Sequence, residues 1–100
     1  MSLVTTTLVV AEVHRLVLHR VGIKASAAVL DAIDGSTHVR LVFPGGEHHK
    51  AARRWLEKLS DQEITYADAT SFAVMQAENC PAAITFDRDF VIAGFEVWRA

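Results

Sequence analysis

The chain is expected to fold as a small α/β domain with a parallel sheet flanked by helices. Short apolar runs that stop at turn residues alternate with longer stretches of helical periodicity, and strands separated by helices pair in parallel. Hydrophobic residues make up 51% of the 100 residues, enough for a real core with little margin. No repeat, linker or low-complexity tract divides the sequence, so residues 1–100 are expected to form a single domain.

Residues 8–21 read as the first helix, because Val9, Val13, Leu16 and Val17 follow the i, i+4, i+7, i+8 spacing of a buried face, and Gly22 ends it. Residues 24–33 form a shorter helix carrying Ala28, Val29, Ala32 and Ile33, closed by Asp34-Gly35. Residues 39–43, apolar except for Arg40, read as a buried strand stopped by Pro44-Gly45-Gly46. Residues 47–59 make the cleanest amphipathic helix. Ala51, Ala52, Trp55, Leu56 and Leu59 share one side; Lys50, Arg53, Arg54, Glu57 and Lys58 share the other, which reads as a solvated face.

The next helix spans residues 66–79, with Thr65 as its N-cap and Asp68 three positions on, a variant of the capping box. Cys80-Pro81 stops it. Residues 82–86 form a short strand, 87–90 a turn and 95–98 a last strand.

Composition removes several functions. A net charge of −2 argues against a protein that simply coats phosphates, so a nucleic acid would have to enter a local, neutralised cleft. The one cysteine, Cys80, cannot form an internal disulfide and reads as a small apolar residue. No run has the pattern of a signal peptide or the roughly 20 apolar residues of a membrane span, and a cytoplasmic location is expected. The five histidines do not form a zinc pattern: His48 and His49 are adjacent, and His14 and His19 are five apart. Gly45-Gly46 lacks the Gly-Lys-Ser/Thr ending of a phosphate loop and reads as a turn.

Three carboxylates stand out. Glu12 lies one turn from both Leu8 and Leu16, and Asp68 shares its side of a helix with Phe72 and Met75. Asp87 follows Ile84-Thr85-Phe86 at the carboxyl end of a predicted parallel strand, where open α/β sheets place ligands. Carboxylates in apolar settings are costly unless something positive binds them. If the three converge they demand a counter-ion. Mg²⁺ or Mn²⁺ answers that demand, and such an ion suits phosphodiester hydrolysis by activating water and offsetting phosphate charge. Plainer roles stand beside this one. Asp68 caps a helix, Glu12 pairs with Arg15 or Arg20, and Asp87 and Asp89 form a turn before Phe90.

The stretch Asp68-Ala69-Thr70-Ser71-Phe72-Ala73-Val74-Met75, followed by Thr85-Phe86-Asp87-Arg88-Asp89-Phe90 and Ala93-Gly94-Phe95, resembles the PIN-domain nucleases. The likeness extends back to Thr6-Thr7-Leu8-Val9-Val10-Ala11-Glu12-Val13-His14 and covers essentially the whole chain. The nearest group is the VapC-type toxins of toxin–antitoxin pairs. The resemblance implies a Mg²⁺- or Mn²⁺-dependent endoribonuclease acting on RNA, neutralised by a small antitoxin protein and expected as a homodimer.

Carried over by position, Glu12 and Asp68 match two of the family's metal-site acids, and Asp87 matches the acid of the Phe-Asp-Arg motif. Asp89 assists as a further metal ligand, and Thr85 would orient water or phosphate. Arg15, Arg20, Lys24, Arg88 and Arg99 would flank an RNA path, or serve as ordinary surface charges.

One element of the family pattern is missing. The family begins with a strand ending in a metal-binding Asp followed by a helix, and no acid precedes Glu12 here. The chain thus resembles a PIN domain that is N-terminally incomplete. A gap at a central strand exposes backbone groups, and residues 2–10, rich in Val and Thr, are expected to extend into it in their own or a partner chain. The alternative to an active nuclease is a catalytically impaired PIN remnant that binds an antitoxin or itself.

Overall fold

The structure, a computed structural model, describes residues 3–84 and 89–98. Their elements run β1 (Leu3–Thr6), α1 (Thr7–Arg20), α2 (Ile23–Gly35), β2 (Val39–Val42), α3 (Gly46–Lys58), α4 (Tyr66–Ala77), β3 (Ala82–Ile84), α5 (Asp89–Ile92) and β4 (Glu96–Trp98). They group into two compact units that divide between Phe43 and Pro44. Strands pair in parallel in each unit, as the alternation of helices and strands predicts.

In the first unit β1 lies beside β2, with Leu3 opposite Val39 and Thr6 opposite Val42. The extended segment is therefore four residues long and not the nine expected. Thr6 ends it, because its side chain accepts a hydrogen bond from the Val9 amide at 3.3 Å and turns the chain into α1. The anticipated apolar face of α1 is also displaced. Val13 is 38% and Leu16 49% exposed, whereas Val10, His14, Val17 and Leu18 are half-buried. Both sets have helical spacing, and periodicity alone does not choose between them. Gly22 separates α1 from α2 at φ 134°, a backbone conformation that glycine alone adopts without strain.

The second unit holds a cluster of buried Ala52, Trp55, Ala69, Phe72 and Phe90. Phe72 is its centre. Its ring meets Phe90 edge-on at 4.9 Å, Trp55 at 5.3 Å and Phe95 at 5.7 Å. Trp55 is buried with its polar end satisfied, since Nε1 donates to Gln76 Oε1 at 3.0 Å. Contacts between α3 and α4 advance together along both helices: His49 meets Tyr66, then Trp55 meets Phe72 and Gln76. The two helices therefore run parallel. Residues 59–65 must carry the chain back along α3, a helix of 13 residues or about 20 Å. A turn in which the Gln62 amide donates to the Leu59 carbonyl at 2.9 Å reverses the chain, and residues 63–65 lead into α4.

Helix α4 begins as the sequence implies, with Thr65 Oγ1 accepting from the Asp68 amide at 3.1 Å. Its end is set by Asn79 rather than by Cys80-Pro81. Asn79 adopts φ 55°, and the Cys80 amide donates back to the Met75 carbonyl at 2.8 Å. Where the sequence predicts a turn before Phe90, Asp89–Ile92 is a short helix. Its Phe90 is drawn into the core, and the Phe95 amide donates to the Phe90 carbonyl at 2.9 Å.

Candidate functional site

Each carboxylate singled out by sequence has a distinct setting. Glu12 is in the first unit, on the exposed side of α1 between exposed Ala11 and Val13. Among the described residues it pairs with neither Arg15 nor Arg20, so the plain ion-pair role is not realised. Asp68 and Asp89 are both in the second unit and both half-buried. Asp87, with Thr85 and Arg88, lies outside the described residues.

The second unit links two of these acids through its core. Asp68 is in the first turn of α4, four residues before Phe72, and Asp89 opens α5 immediately before Phe90. The Phe72–Phe90 contact thus fastens the acid-bearing ends of both helices to one aromatic cluster. Asp68 also benefits from position, since a carboxylate in the first turn interacts favourably with the helix dipole. The cap of α4 is made by Thr65, whose Oγ1 accepts from the Asp68 amide.

Among the described residues no three His, Cys, Asp or Glu side chains form a group able to hold a metal. The chemistry of the acids nevertheless fits a hard dication, which takes oxygen ligands and needs only one or two carboxylates directly. A shallow depression on α3 and α4 is lined by Ala51, Arg54, Trp55, Lys58 and Gln76. It lies at the other end of α4, with Gln76 about 12 Å along the axis from Asp68. Lys58 covers the Trp55 ring there, with Nζ 5.0 Å from its centre.

Sequence reasoning missed one group at the start of α4. His49 Nδ1 and the Tyr66 hydroxyl are 2.9 Å apart, joining the start of α3 to the first residue of α4. The parallel course of the helices brings them together, and a helical wheel for either element alone cannot reveal it. His48, by contrast, acts locally, since its Nδ1 accepts from the Gly45 amide at 3.0 Å and caps α3.

Parallel strands with helical connections define an α/β domain, with acids at the starts of α4 and α5. Residues 2–96 match the family model of the PIN domain, and the chain belongs to that family. It is 37% identical over 91 residues to the 23S rRNA-specific endonuclease VapC20 of Mycobacterium tuberculosis, in both strain CDC 1551 / Oshkosh and strain ATCC 25618 / H37Rv. Those matches cover 91% of this chain and 69% of the relative. The crystal structure of M. tuberculosis VapC20, described as a sarcin-ricin loop cleaving toxin, superposes with a TM-score of 0.87 at 35% identity. That comparison covers 99% of this chain and 75% of the other. No described helix is long and apolar enough to cross a membrane.

Proposed function

We propose that this chain is an endoribonuclease of the toxin–antitoxin type, with Glu12, Asp68 and Asp87 as its essential carboxylates and Asp89 assisting. The observation that carries the reading is the anchoring of Asp68 and Asp89 to one aromatic cluster through Phe72 and Phe90, in a chain of the PIN family. Such anchoring holds the acids in fixed positions, as phosphoryl transfer requires. Mg²⁺ or Mn²⁺, when bound, would supply an activated water and neutralise charge on the phosphate. The carboxylates would hold that ion. Asp87 and Asp89, close in sequence, would present oxygens from one segment, and Asp68 would present them from the start of α4. The substrate is RNA, by analogy with the 23S rRNA cleaved by the relative.

A small antitoxin protein and a second copy of the chain are the partners this reading carries. Their support is the exposed apolar surface of the first unit, where Val13, Leu16, Val21 and Ile23 are all more than a third exposed. The same surface favours the second reading, a PIN remnant that binds partners without cleaving.

Single-stranded RNA cleavage in Mg²⁺ or Mn²⁺, run beside Asp68→Asn and Asp87→Asn, tests the proposal. Metal-dependent cleavage by the unsubstituted chain and its loss in both variants is the expected result. Folded protein that binds an antitoxin but cleaves no RNA would establish the remnant reading instead.

A further inference from the structure

The contact between His49 and Tyr66 is not part of the core. The buried cluster is built from Ala52, Trp55, Ala69, Phe72 and Phe90, whereas His49 is exposed and Tyr66 keeps 44% of its surface in solvent. An exposed tyrosine held by a hydrogen bond is an ordered aromatic face turned to water. Its hydroxyl is 2.9 Å from His49 Nδ1, and the two rings are tilted at 53° with centres 5.7 Å apart. Tyr66 and Asp68 share the first turn of α4 and leave it on opposite sides, about 200° apart round the axis.

Charge near the pair points to the same kind of ligand. Arg53 lies at i+4 from His49, so it follows His49 on one stripe of α3. Lys50 is engaged with Glu47 at 3.5 Å, whereas Arg53 has no ion-pair partner among the described residues. His49 uses Nδ1 toward Tyr66, which leaves Nε2 as a second hydrogen-bonding atom of its ring. An aromatic face, an imidazole nitrogen and an unneutralised guanidinium in sequence along one surface match the alternation of base and phosphate in single-stranded nucleic acid.

We propose that Tyr66, His49 and Arg53 form a strand-binding surface across the first turn of α4 from Asp68, with a base of single-stranded RNA stacked on Tyr66 and the adjoining phosphates met by His49 and Arg53. The proposal rests on the endoribonuclease reading and deepens it by naming residues that select and position the strand. Tyr66 and His49 are positioning residues and take no part in bond breaking. Because every base has a π-face, stacking on Tyr66 tolerates sequence, and the surface favours unpaired over duplex RNA.

The test is the affinity of the full chain for a fluorescein-labelled single-stranded RNA, measured by anisotropy in EDTA so that no cleavage intervenes. Cleavage kinetics in Mn²⁺ follow on the same proteins. Tyr66→Ala is expected to weaken RNA binding by about tenfold or more, and to raise KM with little change in kcat. Tyr66→Phe retains the ring and should stay within a few-fold of the parent, which separates stacking from simple damage to α4. Arg53→Ala should weaken binding and lower its salt dependence by about one phosphate contact. Parent-like affinity of Tyr66→Ala, in a chain that binds and cleaves RNA, would overturn the strand-binding surface and leave the nuclease reading standing. A parent chain that neither binds nor cleaves RNA would overturn both.

Discussion

The two units of the chain are built differently. In the second, an aromatic cluster centred on Phe72 buries side chains from α3, α4 and α5. Among the described residues of the first, the buried side chains are Thr6, Ser26 and Val42, and α1 buries none completely. Yet carboxylates of the proposed reaction come from both. Asp68 and Asp89 are fastened to an aromatic core, and Glu12 stands on a helix with exposed Val13 and Leu16 beside it. Packing is thus densest around the helices that carry Asp68 and Asp89, whereas Val13, Leu16, Val21 and Ile23 of the first unit are exposed.

Substitutions can break this contrast, and the largest effect is expected at Phe72. Truncation to alanine removes a fully buried ring in contact with three others. It should cost about 3–5 kcal/mol in urea unfolding followed by tryptophan fluorescence. A loss below about 1 kcal/mol would mean that the cluster is not the chief source of stability. Thr65→Ala should cost about 1 kcal/mol by the same measurement, because the Asp68 amide loses its cap. Thr65→Ser should restore most of it. The smallest effect is expected in the first unit. Leu16→Ser, at a side chain 49% exposed, should change stability by no more than about 0.5 kcal/mol. A much larger loss, dependent on protein concentration, would show that a second copy covers α1.

How far these features can be read from sequence follows their range along the chain. The Thr65 cap and the amphipathic course of α3 depend on residues a few positions apart, and both appear as expected. The buried side of α1 is misplaced by periodicity because Val9, Val13, Leu16 and Val17 compete with Val10, His14, Val17 and Leu18, and tertiary packing decides between them. Asp89 lies in a helix rather than a turn because Phe90 is anchored to Phe72, a partner 18 positions away. The His49–Tyr66 pair is hidden for a similar reason, since it exists only because residues 59–65 return the chain and make α3 and α4 parallel. Asp68 is legible from its capping position and its spacing to Phe72, whereas Asp87 rests on the family motif and its place after a predicted strand.

The central claim is that Glu12 is an essential carboxylate of the proposed reaction, and the cleavage rate of Glu12→Gln under single-turnover conditions in Mn²⁺ tests it most directly. Glu12 is exposed and makes no hydrogen bond or ion pair among the described residues, so its loss should leave the melting curve unchanged. The rate should nevertheless fall by about 100-fold, at least the loss caused by disturbing residues that only support a metal's ligands. Cleavage by Glu12→Gln at the parent rate would contradict the claim and remove Glu12 from the reaction.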